Sequence, residues 1–427
     1  VKSGQSVSIV KDFSWTLLSN LIYAATQWGI LVMLARLGTP ETVGRFSLAL
    51  AICSPVILLA NLKLRTVQVT DAKEEYSFSE YANLRVITTM VAMLVIAGIT
   101  LVSGYTWETM LVVLVMAVAK AFESFSDIYH GQFQKRLLFN TIAKSMILRG
   151  ILSFIILTIV LYLTKSLVWA VVGMTLVWGL VFFFCDFRTG KQLDLDVKFS
   201  WSMTKILNLA WVALPLGFAV MINSLNTNIP RYFIQNHLGE HALGIFAAMA
   251  YLLVVGNTVI NALGQSASPR LAKLYQTGNM SGFFRLLAKL VAMGIGLGLA
   301  GVIVTYFFGA EILTLIYGAE YAQQADIFVI LMMTGAVTYS FVFVGTALGA
   351  MQKYKVQAPI NLISNLVVLV LSTFAIAAFG LKGAAWSLFG CELSLGLGYL
   401  IVVWYTWKKE GARYLAARRN EATDQTL

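Results

Sequence analysis

The sequence predicts an all-α polytopic membrane protein, with twelve transmembrane helices in two pseudo-symmetric six-helix lobes. Composition, the placement of basic residues and an internal repeat carry that prediction. Of 427 residues, 59% are hydrophobic and only 12% are charged, about half the roughly 25% charge of a soluble domain. Apolar runs of about 20 residues, long enough to cross the hydrocarbon core as helices, occur twelve times. They centre on 13–36, 43–62, 82–103, 108–129, 143–163, 166–186, 206–235, 242–263, 284–308, 325–348, 357–380 and 382–406.

The net charge of +11 raises the question of nucleic acid, but the basic residues alternate by loop. Even-numbered connections hold Lys63, Arg65 and Lys73, then Lys135 and Arg136, then Arg188, Lys191, Lys198 and Lys205. Further on they hold Arg270, Lys273 and Arg285, then Lys353 and Lys355, and the tail adds Lys408, Lys409, Arg413, Arg418 and Arg419. The opposite connections hold Arg45, Lys165 and Lys382, with acids such as Glu41, Glu108, Glu240, Glu311 and Glu320 predominating. This positive-inside pattern predicts cytoplasmic termini and membrane lipids, not nucleic acid, as the surroundings. The first run lacks an A-x-A-like exit and is expected to stay as a span. Cys53, Cys185 and Cys391 are scattered in apolar segments and predict no disulfide or metal cluster.

Three pairs of segments recur in the same order. "LGTPETVGRFSLA" from Leu37 pairs with "LGEHALGIFAAMA" from Leu238 at an offset of 200 or 201. "GQFQK" at Gly131 pairs with "GAMQK" at Gly349, and "KSLVWA" at Lys165 with "KGAAWS" at Lys382, at offsets of 218 and 217. Six spans per repeat leave both halves starting on one side, related by an axis along the membrane normal. The expected organisation is an N-terminal lobe over 1–190, a cytoplasmic linker over 191–205, a C-terminal lobe over 206–408 and a basic tail over 409–427.

A water-filled path between lobes requires polar residues on one face of several spans. The first span carries Thr16, Asn20, Tyr23 and Gln27; the fourth carries Lys120, Glu123, Asp127, His130 and Gln134. On the fifth, Lys144 and Arg149 lie toward the cytoplasmic end, where they can snorkel. The seventh puts Asn223, Thr227, Pro230 and Arg231 on one side, the eighth Asn257, Asn261 and Gln265, and the eleventh Gln357, Asn361 and Asn365. Glu392 lies near the middle of the twelfth. An asparagine in lipid often only bonds a neighbouring helix, at about 1 kcal/mol or less. A charge is different: it costs at least about 2.5 kcal/mol at the bilayer centre and normally faces a cavity or a relay. Pro230 removes a backbone donor beside Arg231 and is expected to kink or interrupt its helix. Freed carbonyls and a fixed cation there would suit a bound anion.

His237, Glu240 and His241 spell H-x-x-E-H, a zinc-protease pattern. Gly239 inside a short turn and the lack of a counterpart in the first repeat argue against zinc. No P-loop, Gly-x-Ser-x-Gly or paired redox cysteine occurs. The prediction is a transporter and not an enzyme, without cofactor, driven by an ion gradient (proton or sodium), the membrane potential or the substrate gradient.

Several segments resemble the polysaccharide transporter (oligosaccharide flippase) family of the multidrug, oligosaccharidyl-lipid and polysaccharide exporter superfamily. They are "LARLGTPETVGRFSLALAI", "KAFESFSDIYHGQFQKR", "SMILRGILSF", "LPLGFAVMINSLNTNIPRYFI", "IYGAEYAQQA" and "LKGAAWSLF", spread over essentially the whole chain. The resemblance implies a fold like that of the multidrug exporters, with two lobes around a cavity open alternately to each face. It also implies an undecaprenyl-diphosphate-linked oligosaccharide as cargo, moved across the cytoplasmic (inner) membrane for surface polysaccharide such as O-antigen, with glycosyltransferases and a polymerase as pathway partners. Candidate substrate contacts are Asn20, Gln27, Lys120, Arg149, Asn223, Asn226, Asn228 and Arg231; candidate coupling residues are Glu392, Glu123 and Asp127. Drug exporters of the superfamily commonly carry a carboxylate in the first span, where this chain has only Asp12 at the edge. Cation-coupled drug export is the alternative reading. A membrane polymerase or ligase ranks lower, because the external connections are short.

Overall fold

The structure, a computed structural model, describes residues 2–195 and 203–424, with side chains over 14–195, 203–353 and 355–408. Lys198, within the predicted linker, lies outside the described residues, as do the side chains of Asp12, Lys409, Arg413, Arg418 and Arg419. In order, the helices are α1 (Lys2–Leu37), α2 (Pro40–Asn61), α3 (Leu64–Thr70), α4 (Phe78–Val102), α5 (Trp107–Lys135), α6 (Phe139–Thr164) and α7 (Leu167–Val181). A π-helix (Phe182–Phe187) leads into α8 (Arg188–Gln192). Then come α9 (Met203–Gln276), α10 (Met280–Ile316), α11 (Ala319–Ala322), α12 (Ala325–Ala350) and α13 (Gln357–Asp424). No strand occurs among the described residues.

Ten helices among the described residues are long and apolar enough to cross a membrane. Large apolar side chains such as Leu94, Val102, Phe374 and Ile401 are exposed along them, a surface that lipid, not water, would cover. Backbone N–H and C=O groups are bonded within each helix, because hydrocarbon offers the backbone no partner.

Helix starts follow local chemistry. Pro40 sits in the first turn of α2, where its missing N–H costs nothing. At α4, Ser77 and Glu80 cap reciprocally, with Ser77 N–H donating to Glu80 Oε2 at 2.7 Å. Thr106 Oγ1 accepts from Thr109 N–H at the start of α5.

α9 has 74 residues; unbroken, it would run about 110 Å, against a core of roughly 30 Å. It is interrupted at Gly239 (φ 81°, ψ −176°), and the 68-residue α13 is interrupted at Gly380 (φ 58°, ψ −135°). Both conformations belong to glycine, which lacks the β-carbon that forbids them. The expected interruption at Pro230 is not found: α9 is helical there, and its non-helical residue is Gly239. Proline removes one N–H, but its fixed φ is already close to the helical value.

Contacts gather the chain into two compact units, Val1–Ala248 and Met249–Leu427. In the first, Leu62, Leu64, Tyr81, Leu84, Tyr129, Phe133, Phe182 and Leu209 join α2 to α5, the π-helix and α9 in one apolar cluster. In the second, Phe283 and Leu287 of α10 meet Tyr339, Phe343, Val344 and Leu348 of α12, with Ile260 and Leu271 of α9 and Val403 of α13.

Candidate functional site

Helix α2 separates two cavities within the first unit. At 3.6 residues per turn, positions i, i+3, i+4 and i+7 share a face. Ser54, Ile57, Leu58 and Asn61 form one such face and line a polar cavity of about 540 Å³. Ile52, Pro55, Val56 and Leu59 form another and line an apolar cavity of about 760 Å³.

The polar cavity is completed by Lys63, Arg65 and Thr66 after α2, by Lys120, Glu123 and Asp127 of α5, and by Val220 of α9. Its cations reach it because Leu62 and Lys63 turn the chain at positive φ (49° and 51°) between α2 and α3. Lys120 Nζ lies 2.8 Å from Glu123 Oε2, and the Tyr23 hydroxyl donates to Glu123 Oε1 at 3.2 Å. Asp127 is held from two sides, by Arg65 at 3.5 Å and by Arg85 at 3.1 Å. Arg85 is fully buried and also donates to Asn61. Among the lining residues Lys63, Arg65 and Lys120 therefore outnumber Glu123 and Asp127, an excess of one positive charge.

The apolar cavity is walled by Val91, Ala92, Val95 and Ile99 of α4 and by Leu214, Met221, Leu225 and Tyr232 of α9. The Tyr232 hydroxyl donates to the Ala51 carbonyl, tying α9 to α2. The two cavities together offer cations on one side of α2 and a greasy slot on the other.

Deeper in the unit, the π-helix carries Asp186, fully buried between His130 Nε2 (3.1 Å) and Arg149 Nη2 (3.4 Å). Trp178 stands near Arg149 at 5.6 Å and near Lys120 at 5.3 Å from ring centre to cation. Its indole N–H donates to Ser153 Oγ at 2.8 Å.

Lys120, Glu123 and Asp127 thus meet in the polar cavity, while Arg149 turns to Asp186. Gln27 is half-buried, and Asn20 and Asn223 are exposed. On α9, Asn226 and Asn228 are buried. Asn228 Nδ2 donates to the Ser224 carbonyl at 2.8 Å, and Arg231 Nη1 donates to Asn228 Oδ1 at 3.3 Å. In the second unit Glu392 hydrogen-bonds Thr338, beside a seam where Asn361 meets Tyr399 and Ser364 meets Ser394. Arg85, Asn61 and Asp186 escape the sequence reading. Asp186 had one usable signal, a carboxylate ending the apolar run "VFFFCD".

At the other end of α2 a second polar cluster joins it to the residues after Gly239. Arg45 Nε lies 2.6 Å from Glu240 Oε2 and also pairs with Glu108, and Thr109 donates to Glu240. His241 Nδ1 lies 2.7 Å from Glu41 Oε1. Glu240 and His241 of the H-x-x-E-H segment thus engage Arg45, Thr109 and Glu41, while His237 Nδ1 lies 3.0 Å from the Phe233 carbonyl one turn back. A β-carbon at Gly44 would strike the Glu240 carbonyl, and one at Gly244 would strike the Pro40 carbonyl. Under the 200-residue offset these two contacts exchange, and Glu41 and His241 are each other's counterparts.

The family described as polysaccharide biosynthesis protein matches residues 9–275. The chain belongs to this family. A capsular polysaccharide biosynthesis protein, CapF of Staphylococcus aureus, is 32% identical over 378 residues, covering 88% of this chain and 94% of that protein. In fold, the chain is similar to an inward-facing multidrug resistance MATE family transporter of the MOP superfamily. That likeness has a TM-score of 0.72 at 14% identity and covers 91% of this chain and 95% of that one. It is also similar to the lipid II flippase MurJ in an inward closed conformation, with a TM-score of 0.65 at 13% identity over 93% and 87% of the two chains. This member of the polysaccharide biosynthesis family is a multi-pass membrane protein with an all-helical transporter fold, as the resemblance implied.

Proposed function

We propose that the protein is a flippase that carries a lipid-linked oligosaccharide, joined through a diphosphate to undecaprenol, across the cytoplasmic membrane by alternating access. The observation that carries this reading is the pair of cavities on opposite faces of α2, one cationic and one apolar. A polyprenyl diphosphate needs both: guanidinium and ammonium groups pair with phosphate oxygens by charge-assisted bonds, while the chain stays in an apolar slot. A cationic drug would instead meet Lys63, Arg65 and Lys120. The likeness in fold to a lipid II flippase runs in the same direction.

Four further elements belong to the proposal. Counting α9 and α13 as two spans each, on either side of Gly239 and Gly380, gives twelve, with both termini cytoplasmic and the Arg45 cluster at the external face. The lobes follow the boundaries 1–190 and 206–408, related by a pseudo-twofold axis, and the reciprocal contacts of Gly44 and Gly244 support that axis. Asn226, Asn228 and Arg231 supply sugar and phosphate contacts along α9. Glu392, Glu123 and Asp127 are the carboxylates available to an ion gradient.

The deciding experiment measures surface polymer and lipid-linked intermediates in a deletion strain. The expected result is loss of polymer with intermediates trapped at the cytoplasmic leaflet, both restored by the intact gene. Unchanged polymer with new drug sensitivity would overturn the reading in favour of export of small cations.

A further inference from the structure

We infer that His130 and Asp186 form a proton site whose occupancy is coupled to the charge of the polar cavity. The inference rests on the cargo reading only for its purpose, since the coupling itself is a property of the unliganded chain.

Asp186 has no access to solvent, and its two oxygens are divided between a titratable and a permanent cation, His130 from α5 and Arg149 from α6. Ser126 and Tyr129 of α5 and Cys185 of its own segment also face it. With His130 neutral, Asp186 and Arg149 cancel and the cluster carries no net charge. When His130 takes a proton, the cluster gains one net positive charge, which charge in the neighbouring cavity can offset. Asp186 accepts from Nε2–H in the neutral form, so the arriving proton goes to Nδ1.

The compensating charge lies in the cavity. Arg149 and Lys120 both approach Trp178, and Lys120 lines the cavity with Glu123. An anion bound there lowers the positive potential that His130 senses and favours its protonated form. Loss of the proton then favours release of the anion, because the coupling is reciprocal. The segment bearing Asp186 is a six-residue π-helix, a helical form found mostly as single turns at functional sites.

The chain has three histidines, so His237→Gln with His241→Gln leaves His130 as a single nitrogen-labelled reporter. In the full-length protein in nanodiscs, its imidazole NMR signals are followed from pH 5 to 9, alone, with geranylgeranyl diphosphate as probe, and with Lys120→Gln. Lys120→Gln removes a cavity cation while leaving the Asp186 cluster intact. It is expected to raise the His130 midpoint by about half a pH unit, roughly threefold in proton affinity. An imidazole that does not titrate, or a midpoint unmoved by Lys120→Gln, overturns the inference, as would a chain in which Asp186→Asn folds and leaves the midpoint unchanged. The probe is expected to move the midpoint the same way. Absence of probe binding with a shifted Lys120→Gln midpoint sinks the cargo reading and leaves the proton site standing.

Discussion

At the residue scale, the cost of burying charge decides which side chains belong together. Arg85 is inaccessible to solvent and faces Asp127 and Asn61. Removing one member of such a pair strands the other at a cost of about 3–5 kcal/mol, whereas replacing both with apolar groups is often neutral. Asp127→Asn is therefore expected to lower the thermal midpoint in detergent by several degrees, and Arg85→Met with Asp127→Leu to recover most of it. Equal midpoints for the single variant and the parent would show that Asp127 holds nothing. Helical spacing made Lys120, Glu123 and Asp127 legible in the sequence as one face of α5. It could not supply Arg85 or Asp186, because periodicity along one helix reports a face and never the partner on another helix. The same limit applies to Arg149: its charge marked it as a cavity candidate, and only the packing of α5, α6 and the π-helix turns it toward Asp186.

At the scale of elements, breaks in helices are set by glycine more than by proline. The apolar runs 206–235 and 242–263 bracket Gly239, so the interruption between them was legible from hydropathy alone, while Pro230 marked a break that did not form. The segment between α3 and α4 shows a different device. Asp71 is outside the apolar spans and accepts from the amides of Glu75 and Tyr76, at 3.1 and 3.2 Å, and from the Tyr81 hydroxyl at 3.2 Å. Partial burial pushes its carboxyl up, but these bonds and the charge of Lys135 outweigh it and hold the carboxyl below its usual value. A depressed folded pKa gives stability that is complete above the unfolded value, about 3.9, and is lost as pH falls through the folded one. Hydrogen exchange at the Glu75 and Tyr76 amides is expected to stay slow at neutral pH and to accelerate below about pH 4, beyond the intrinsic pH trend. Asp71→Asn should abolish that acid-specific loss; an identical acid profile in the variant would assign the protection to something other than the carboxylate.

At the scale of the whole molecule, the internal repeat becomes a mechanical feature. Segments that match at an offset of 200 meet one another, Gly44 against Glu240 and Gly244 against Pro40, in the self-complementary manner of a twofold contact. Their glycines let two backbones approach so closely that Arg45, Glu108, Thr109 and Glu240 close around the crossing. If alternating access is the working cycle, this crossing has to part whenever the external face opens, and its ion pairs set how readily it does so. Arg45→Ala leaves Glu108 and Glu240 as like charges without their shared cation, which weakens closure. In a background with Cys53, Cys185 and Cys391 replaced, a cysteine at Leu225 on the apolar cavity reports opening through a membrane-impermeant maleimide added outside. Arg45→Ala is expected to raise that labelling several-fold, and Arg45→Glu combined with Glu240→Arg to bring part of it back, since the exchanged charges can pair again across the same gap. Labelling that stays at the parental level in Arg45→Ala would mean that the glycine crossing alone holds the helices together and that the charges only decorate it.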